Sequence, residues 1–474
     1  MHLNQPPMRH TLLLLAGLLM LASACSKAIY PDRSQFIKDG ELAPTIDLSY
    51  YKSVQLRAGQ DSTLALALAI SGGGSRAANF GTGVMLGLEA FQSPEASNLL
   101  REVDYLSTVS GGGFAGGGYI SALFDHQRQR PGTPFSFEQA VEKRVASALA
   151  YSYAGPLIRA NFNPLLWFSH VDDGDALERA IDDQVLGYKN RKRQLGRSAS
   201  SIRLGDLFIP AGSPAPVLFP MHITNSSTVS TMNIFPFTPD ILARYQIDGY
   251  THRMRKQGVS PDSTFHIPLS VGIKSSGSFP VLISNTTLSS AYSSDRPFLH
   301  LFDGAMTDNT GYYTALQVLK QEAARRKVIF VVDADAAGNR YTFSAKEGAL
   351  FSLGVAVRLP SSGLDARRAT LRRDIADACG PFQICPVFFS FNALIEGNEA
   401  PLPEKIDVAQ EQARLIGLLR AGGPLTDGDE QILYDLLTHI GTKYTITEPE
   451  QELLLLSGKY VVYLQRAAIR SALR

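Results

Sequence analysis

The chain has 474 residues, of which 45% are hydrophobic, 19% charged and 9% aromatic, and its formal net charge is +1. This is a globular composition, long enough for one large domain or two to three ordinary ones. The near-neutral balance leaves no electrostatic case for a nucleic-acid partner, and the short basic clusters Arg191–Arg193 and Arg325–Lys327 read as solvated faces, with anionic lipid head groups as the alternative.

The N-terminus reads as an export signal rather than as part of the fold. Arg9 and His10 precede the apolar run Thr11–Leu21, followed by the small residues Ala22, Ser23 and Ala24 and then Cys25. The run is short for a membrane-spanning helix, which needs about 20 apolar residues. Leu21-Ala22-Ser23-Ala24-Cys25 resembles a bacterial lipoprotein lipobox, although Ala22 stands where leucine is commoner. That resemblance implies a signal peptide over 1–24, cleavage before Cys25 and acylation of its thiol. Ala22-Ser23-Ala24 also suits an ordinary signal peptidase. Ser26 resembles the outer-membrane sorting pattern, so the expected location is the bacterial cell envelope, anchored by lipid. Of the three cysteines, Cys379 and Cys385 remain. In an oxidising compartment they are a possible disulfide closing a small loop, the alternative being two unpaired thiols. Their spacing, with no histidine nearby, is a poor metal signature.

Residues 25–60 read as a tether and lead-in. Thr63–Ile70 is then a short apolar run bounded by Ser71-Gly72-Gly73-Gly74, which predicts a buried strand and a glycine turn. Arg76–Ala90 has helical spacing. The plan repeats: Val103–Val109 as strand, Ser110–Gly113 as turn, Phe114–Phe124 as helix. Residues 130–265 are less regular, with a helix expected around Asp175–Leu186, and read as insertion and lid-like material. Pro297–Phe302 predicts a third strand ending at Asp303, Gly311–Arg326 a helix, and Lys327–Val332 another buried strand. The last 85 or so residues look mainly helical, as in Lys405–Arg420 and Asp427–His439. The alternation predicts an α/β fold with a mostly parallel sheet over 61–335, followed by a mainly helical C-terminal extension over 336–474.

Ligand sites of open α/β sheets lie beyond the carboxyl ends of strands. Gly72–Gly74, Ser110 and Asp303 all follow predicted strands. A serine on a sharp strand-to-helix turn exposes its hydroxyl, and small neighbours let the backbone reverse. Gly111–Gly113 meet that need on one side. On the other, Thr108 stands where the G-x-S-x-G elbow has its first glycine. Consecutive glycines before a helix let amide hydrogens converge on a developing oxyanion, with Arg76 placed to support the loop. The stretch Gly72–Ala77 also fits G-x-G-x-x-A, a dinucleotide fingerprint, but the next strand ends at Ser110 and not at an acidic residue. Asp303 at the end of an apolar strand is a candidate proton acceptor, with a turn or helix cap as the plainer role. Of the nine histidines, His222, His266 and His300 are candidates for completing a triad; Asp333 and Asp335 end the next strand.

Together these motifs resemble the patatin-like phospholipase family. Gly72-Gly73-Gly74-Ser75-Arg76 matches the family's oxyanion loop, with Ala77 for its last glycine, and Ser110 matches its nucleophile. Asp303-Gly304-Ala305 matches its D-G-[GA] motif, and Ser275–Pro280 its small-residue and proline stretch. The resemblance covers about 60–335. It implies a three-layer α/β/α core and hydrolysis of acyl esters of membrane lipids, phospholipase A or lysophospholipase-like, by Ser110 and Asp303. An oxyanion hole at Gly72, Gly73, Gly74 and Arg76 is implied too, with no metal and no cofactor. The alternatives are a non-catalytic lipoprotein scaffold that keeps the fold, suggested by Thr108, and a nucleotide-binding enzyme using the 72–77 loop.

Overall fold

The computed structural model describes residues 44–94, 96–153, 155–156, 173–249, 261–280, 283–292, 297–334, 384–396, 406–443 and 445–474. The signal and anchor readings at 1–24 and Cys25, Cys379 of the possible disulfide, and Asp335 lie outside them.

Two apolar runs make the centre of the sheet. β1 (Leu64–Ile70) and β2 (Val103–Val109) are buried at every position, as strands covered on both faces must be. The other strands are β3 (Met221–Thr228), β4 (Ile234–Phe237), β5 (Ile247–Gly249), β6 (Thr286–Ser290), β7 (Phe298–Asp303), β8 (Arg326–Asp333) and β9 (Ile384–Ser390). They form one sheet in the order β5-β6-β7-β3-β2-β1-β8-β9, with β4 paired to β3. The stretch β3-β2-β1-β8-β9 is parallel. Beyond β3 the sheet turns antiparallel through β7, β6 and β5.

Helices α1 (Gly74–Ala90) and α2 (Gly111–Gln129) follow β1 and β2, α3 (Leu269–Ser276) packs on β3, and α4 (Tyr312–Gln321) follows β7. Neighbouring residues of a strand face opposite sides. On β2, Thr108 meets α2 at Gly116, while Ser107 meets the start of α4 at Gly311. The helices therefore cover both faces, and the α/β/α expectation holds.

The C-terminal helices are α5 (Val408–Ala421), α6 (Asp427–His439), α7 (Glu448–Leu464) and α8 (Arg466–Leu473). Residues from Leu42 to Arg474 form one compact unit, so these helices are built into the core. In the lead-in, Ile46, Tyr51 and Val54 are buried, and the Tyr51 hydroxyl donates to the Asp240 carboxylate at 2.5 Å.

Two expectations change. Residues 130–265, read as inserted and lid-like, contribute β3, β4 and β5, and β3 is an interior strand beside β2. Its second half, Asn225-Ser-Ser-Thr228, is polar yet buried, so the apolar pattern that marks a buried strand is missing there. Asp303 does end a strand, but that strand is antiparallel to β3. It descends to the level of the site instead of rising to it.

Candidate active site

β2 ends one residue before Ser110, and α2 begins one residue after it. The chain reverses there by placing Ser110 at φ 47° and ψ −117°, a conformation that costs a non-glycine residue on the order of 1–3 kcal/mol. Two contacts hold it. The Ser110 N–H donates to Ser276 Oγ at 2.9 Å, and Ser276 Oγ donates to the Asn225 carbonyl at 2.5 Å. The turn is also sterically fitted. A Cβ on Gly111 would collide with the Gly74 carbonyl oxygen, and one on Gly112 with that of Ile70. The elbow and the glycine loop thus touch backbone to backbone.

Thr108, the departure from the elbow pattern, is accommodated by the next helix. Its methyl lies where a Cβ on Gly116 would come within 3.0 Å. Its hydroxyl shares a 2.8 Å hydrogen bond with His222 Nε2. The bulk at position 108 is therefore offset by a missing side chain at position 116.

Asp303 is 1% exposed and faces the Ser110 hydroxyl. Its N–H donates to the Ser278 carbonyl at 2.9 Å, and its Oδ1 accepts from the Ala305 N–H at 2.9 Å. Burial pushes its pKa up to about 7, against the opposing pull of the Ala305 amide and the Ser110 hydroxyl. The stretch 275–280 is the strut between the two residues: Ser276 holds the serine's backbone and Ser278 the aspartate's. Sequence reading picks out this stretch but not its role.

The glycine loop divides its amides. Gly72 N–H donates to the Asn309 carbonyl at 2.9 Å, and Ser75 N–H to the Lys443 carbonyl at 2.9 Å. No acceptor among the described residues takes the amide hydrogens of Gly73 and Gly74. Arg76 is buried, with Nε donating to the Ala334 carbonyl at 2.8 Å and a terminal nitrogen to the Ile440 carbonyl at 2.6 Å. Of the four expected oxyanion-hole residues, Gly73 and Gly74 carry amides that face no internal acceptor. Gly72 contributes shape, because its amide already has a carbonyl, and Arg76 ties the loop to the body of the protein. Gly111, at the N-terminus of α2, lies against the Gly74 backbone, and its N–H too has no acceptor among the described residues.

Asn309 was also missed. Its Oδ1 is buried without a partner, 2.3 Å from where a Gly72 Cβ would lie, a position itself 3.2 Å from Ser110 Cβ. Asn309 follows Asp308, whose carboxylate fixes the loop by accepting from the amides of Thr310 and Tyr313. No short motif marks it.

The histidines stand elsewhere. His222 is fully buried, and burial drives its pKa down to about 3, so it is neutral and bonded to Thr108. His266 pairs with Arg203 and His300 with Thr287. No described histidine hydrogen-bonds Ser110 or Asp303. Asp333 is buried and pairs with Ser390 in the sheet register. No group of three or more histidine, cysteine or acidic residues among the described residues is arranged to hold a metal ion.

A mixed α/β sheet with a strained serine between strand and helix, beside a glycine loop, defines the general class. The sequence profile of the patatin-like phospholipases matches residues 68–316, more than half of the chain, and the protein belongs to that family. No curated relative matches the sequence. Among solved structures it is similar to human GIVD cytosolic phospholipase A2, at 15% identity and a TM-score of 0.42 over 86% of this chain and 60% of that one. The same enzyme with methyl gamma-linolenyl fluorophosphonate and terbium chloride gives 14% identity and a TM-score of 0.40, over 89% of this chain and 60% of that one. VipD from Legionella pneumophila gives 12% identity and a TM-score of 0.29, over 85% of this chain and 66% of that one. The chain thus spans less than two thirds of the length of each.

Proposed function

We propose that this protein is a lipid acyl hydrolase of phospholipase A or lysophospholipase type, working through Ser110 and Asp303 without a histidine. One observation carries the reading: the Ser110 hydroxyl faces a buried carboxyl whose pKa has risen to about 7. A carboxylate at its ordinary pKa is a weak base toward a serine hydroxyl; desolvation brings it into the range where it accepts a proton near neutrality.

In the proposed reaction Ser110 Oγ attacks the ester carbonyl as its proton passes to Asp303. The carbonyl oxygen becomes negative within reach of the amides of Gly73, Gly74 and Gly111, at the N-termini of α1 and α2. The tetrahedral intermediate collapses, the C–O bond to the leaving alcohol breaks, and the protonated Asp303 returns the proton to that oxygen. Water then attacks the acyl-serine with Asp303 again as base, releasing the fatty acid. Every proton is handled by one carboxyl.

We further propose export and lipidation at Cys25, which would hold the enzyme at the surface that contains its substrate. The test is lipid hydrolysis profiling of wild type against Ser110→Ala, with fluorophosphonate labelling read by mass spectrometry. Labelling at Ser110 and loss of turnover by at least about 10³-fold in the variant are expected. Turnover retained by Ser110→Ala refutes the reading. Labelling without turnover of any lipid ester would favour the scaffold alternative.

A further inference from the structure

We infer that the link between α6 and α7, Ile440–Lys443, is a positioning element of the oxyanion loop. It lies more than 120 residues beyond the end of the family match at 316. The inference rests on the acyl-hydrolase reading above.

Helix N-termini present several unpaired amides at once, and a loop of consecutive glycines holds no conformation by itself. Something must decide which amides face the cleft. At α1 the link does so through three contacts. The Lys443 carbonyl accepts the Ser75 N–H at 2.9 Å, withdrawing that amide from the cleft side. The same carbonyl oxygen lies 2.7 Å from where a Gly74 Cβ would be, so it braces the backbone at the residue whose amide is left over. The Ile440 carbonyl accepts from the Arg76 guanidinium at 2.6 Å, while Arg76 Nε holds the Ala334 carbonyl at the end of β8. Arg76 thereby joins the link, the loop and the sheet.

The link is anchored in turn by α7, which lies along α1 with backbones in contact. A Cβ on Gly83 would collide with the Leu455 carbonyl, one on Gly458 with that of Phe80, and one on Gly87 would come within 2.7 Å of Val462 Cβ. Such close packing leaves α7 little room to slide, so the carbonyls of Ile440 and Lys443 arrive at a fixed place. The C-terminal region therefore acts through the loop's amides and not by touching substrate.

The test inserts two glycines between Gly441 and Thr442 in the full-length protein and measures hydrolysis of a short, soluble p-nitrophenyl ester. We expect kcat to fall about 100-fold, the effect of misplacing one preorganised donor, with KM within about twofold. Fluorophosphonate labelling of Ser110 should slow in parallel, because phosphonylation also builds charge on an oxygen. The pH–rate midpoint should stay at the wild-type value, since Asp303 is not part of the link. Wild-type kcat overturns the inference, as does a loss of activity that only tracks the loss of folded protein, or a displaced pH midpoint. Should the insertion prevent folding, Arg76→Lys decides. It keeps the charge but cannot span two carbonyls, and at least a tenfold loss of kcat at unchanged KM is expected; wild-type kcat there overturns the inference. Ser110→Ala separates the two levels: turnover in that variant refutes the underlying reading, whereas a dead Ser110→Ala beside a fully active insertion variant refutes the role of the link alone.

Discussion

At the scale of single residues, Ser110 and Asp303 each sit in an unfavourable state held by their surroundings: one in backbone strain, the other in desolvation. The aspartate's state makes two predictions. In the proposed reaction its ionised form is the base, so kcat/KM should rise with pH through a midpoint near 7. Its folded pKa also lies above the unfolded value of 3.8, so the folded state binds that proton more tightly. The associated stability is fully present below about pH 3.8 and is lost as pH rises through about 7. Asp303→Asn, which keeps an acceptor for the Ala305 amide, should therefore abolish turnover yet melt at a higher temperature than wild type at pH 8. The gain should vanish near pH 4. A variant melting below wild type at pH 8 would contradict the assignment of burial as the cause. The place of both residues at a strand end was legible in the sequence because each closes a strand beside glycines. Ser276 and Asn309 were not, since their roles arise from contacts across 166 residues to Ser110 and 237 residues to Gly72.

At the scale of elements, legibility followed pattern. β1 and β2 are short runs closed by glycine turns, α1 has helical spacing, and all three lie close to where the sequence puts them. The helix expected at Gly311–Arg326 ends earlier, at Gln321, and its last residue opens β8. β3 escaped because the buried side chains of Asn225, Ser226 and Ser227 are satisfied by partners no local window contains: Asn225 alone bonds Ser107, the Thr108 carbonyl and Thr314. The crossing of α1 and α7 was equally hidden, since glycine inside a helix ordinarily signals weakness. Here the glycines at 83, 87 and 458 permit contact between backbones. Gly458→Val should thus cost more than a helix-propensity change, about 1–3 kcal/mol of overpacking or more, and lower the melting temperature by a few degrees. An unchanged melting temperature would show that the crossing is looser than the structure has it.

For the molecule as a whole, the helical tail read as an extension is part of one unit with the sheet and its helices. β9 pairs with β8 along seven residues, and α7 covers α1. A truncated protein ending at 335 would bare a long, apolar edge at β8 together with the face of α1 around Phe80 and Val84, the condition that promotes edge-to-edge aggregation. Expression of such a fragment should yield insoluble protein; a soluble, monomeric and active fragment would refute that account.

The descent of β7 along β3 has one more consequence. Three paired positions, Thr228 with Leu301, Ser227 with Phe302 and Ser226 with Asp303, set where the carboxyl stops. A slip of one residue would turn it to the opposite side of the sheet, and a slip of two would carry it about 7 Å along the strand. Relatives that lengthen or shorten the antiparallel pair β6–β7 are therefore expected to do so at the connection between the two strands, far from Asp303, and not by shifting β7 along β3.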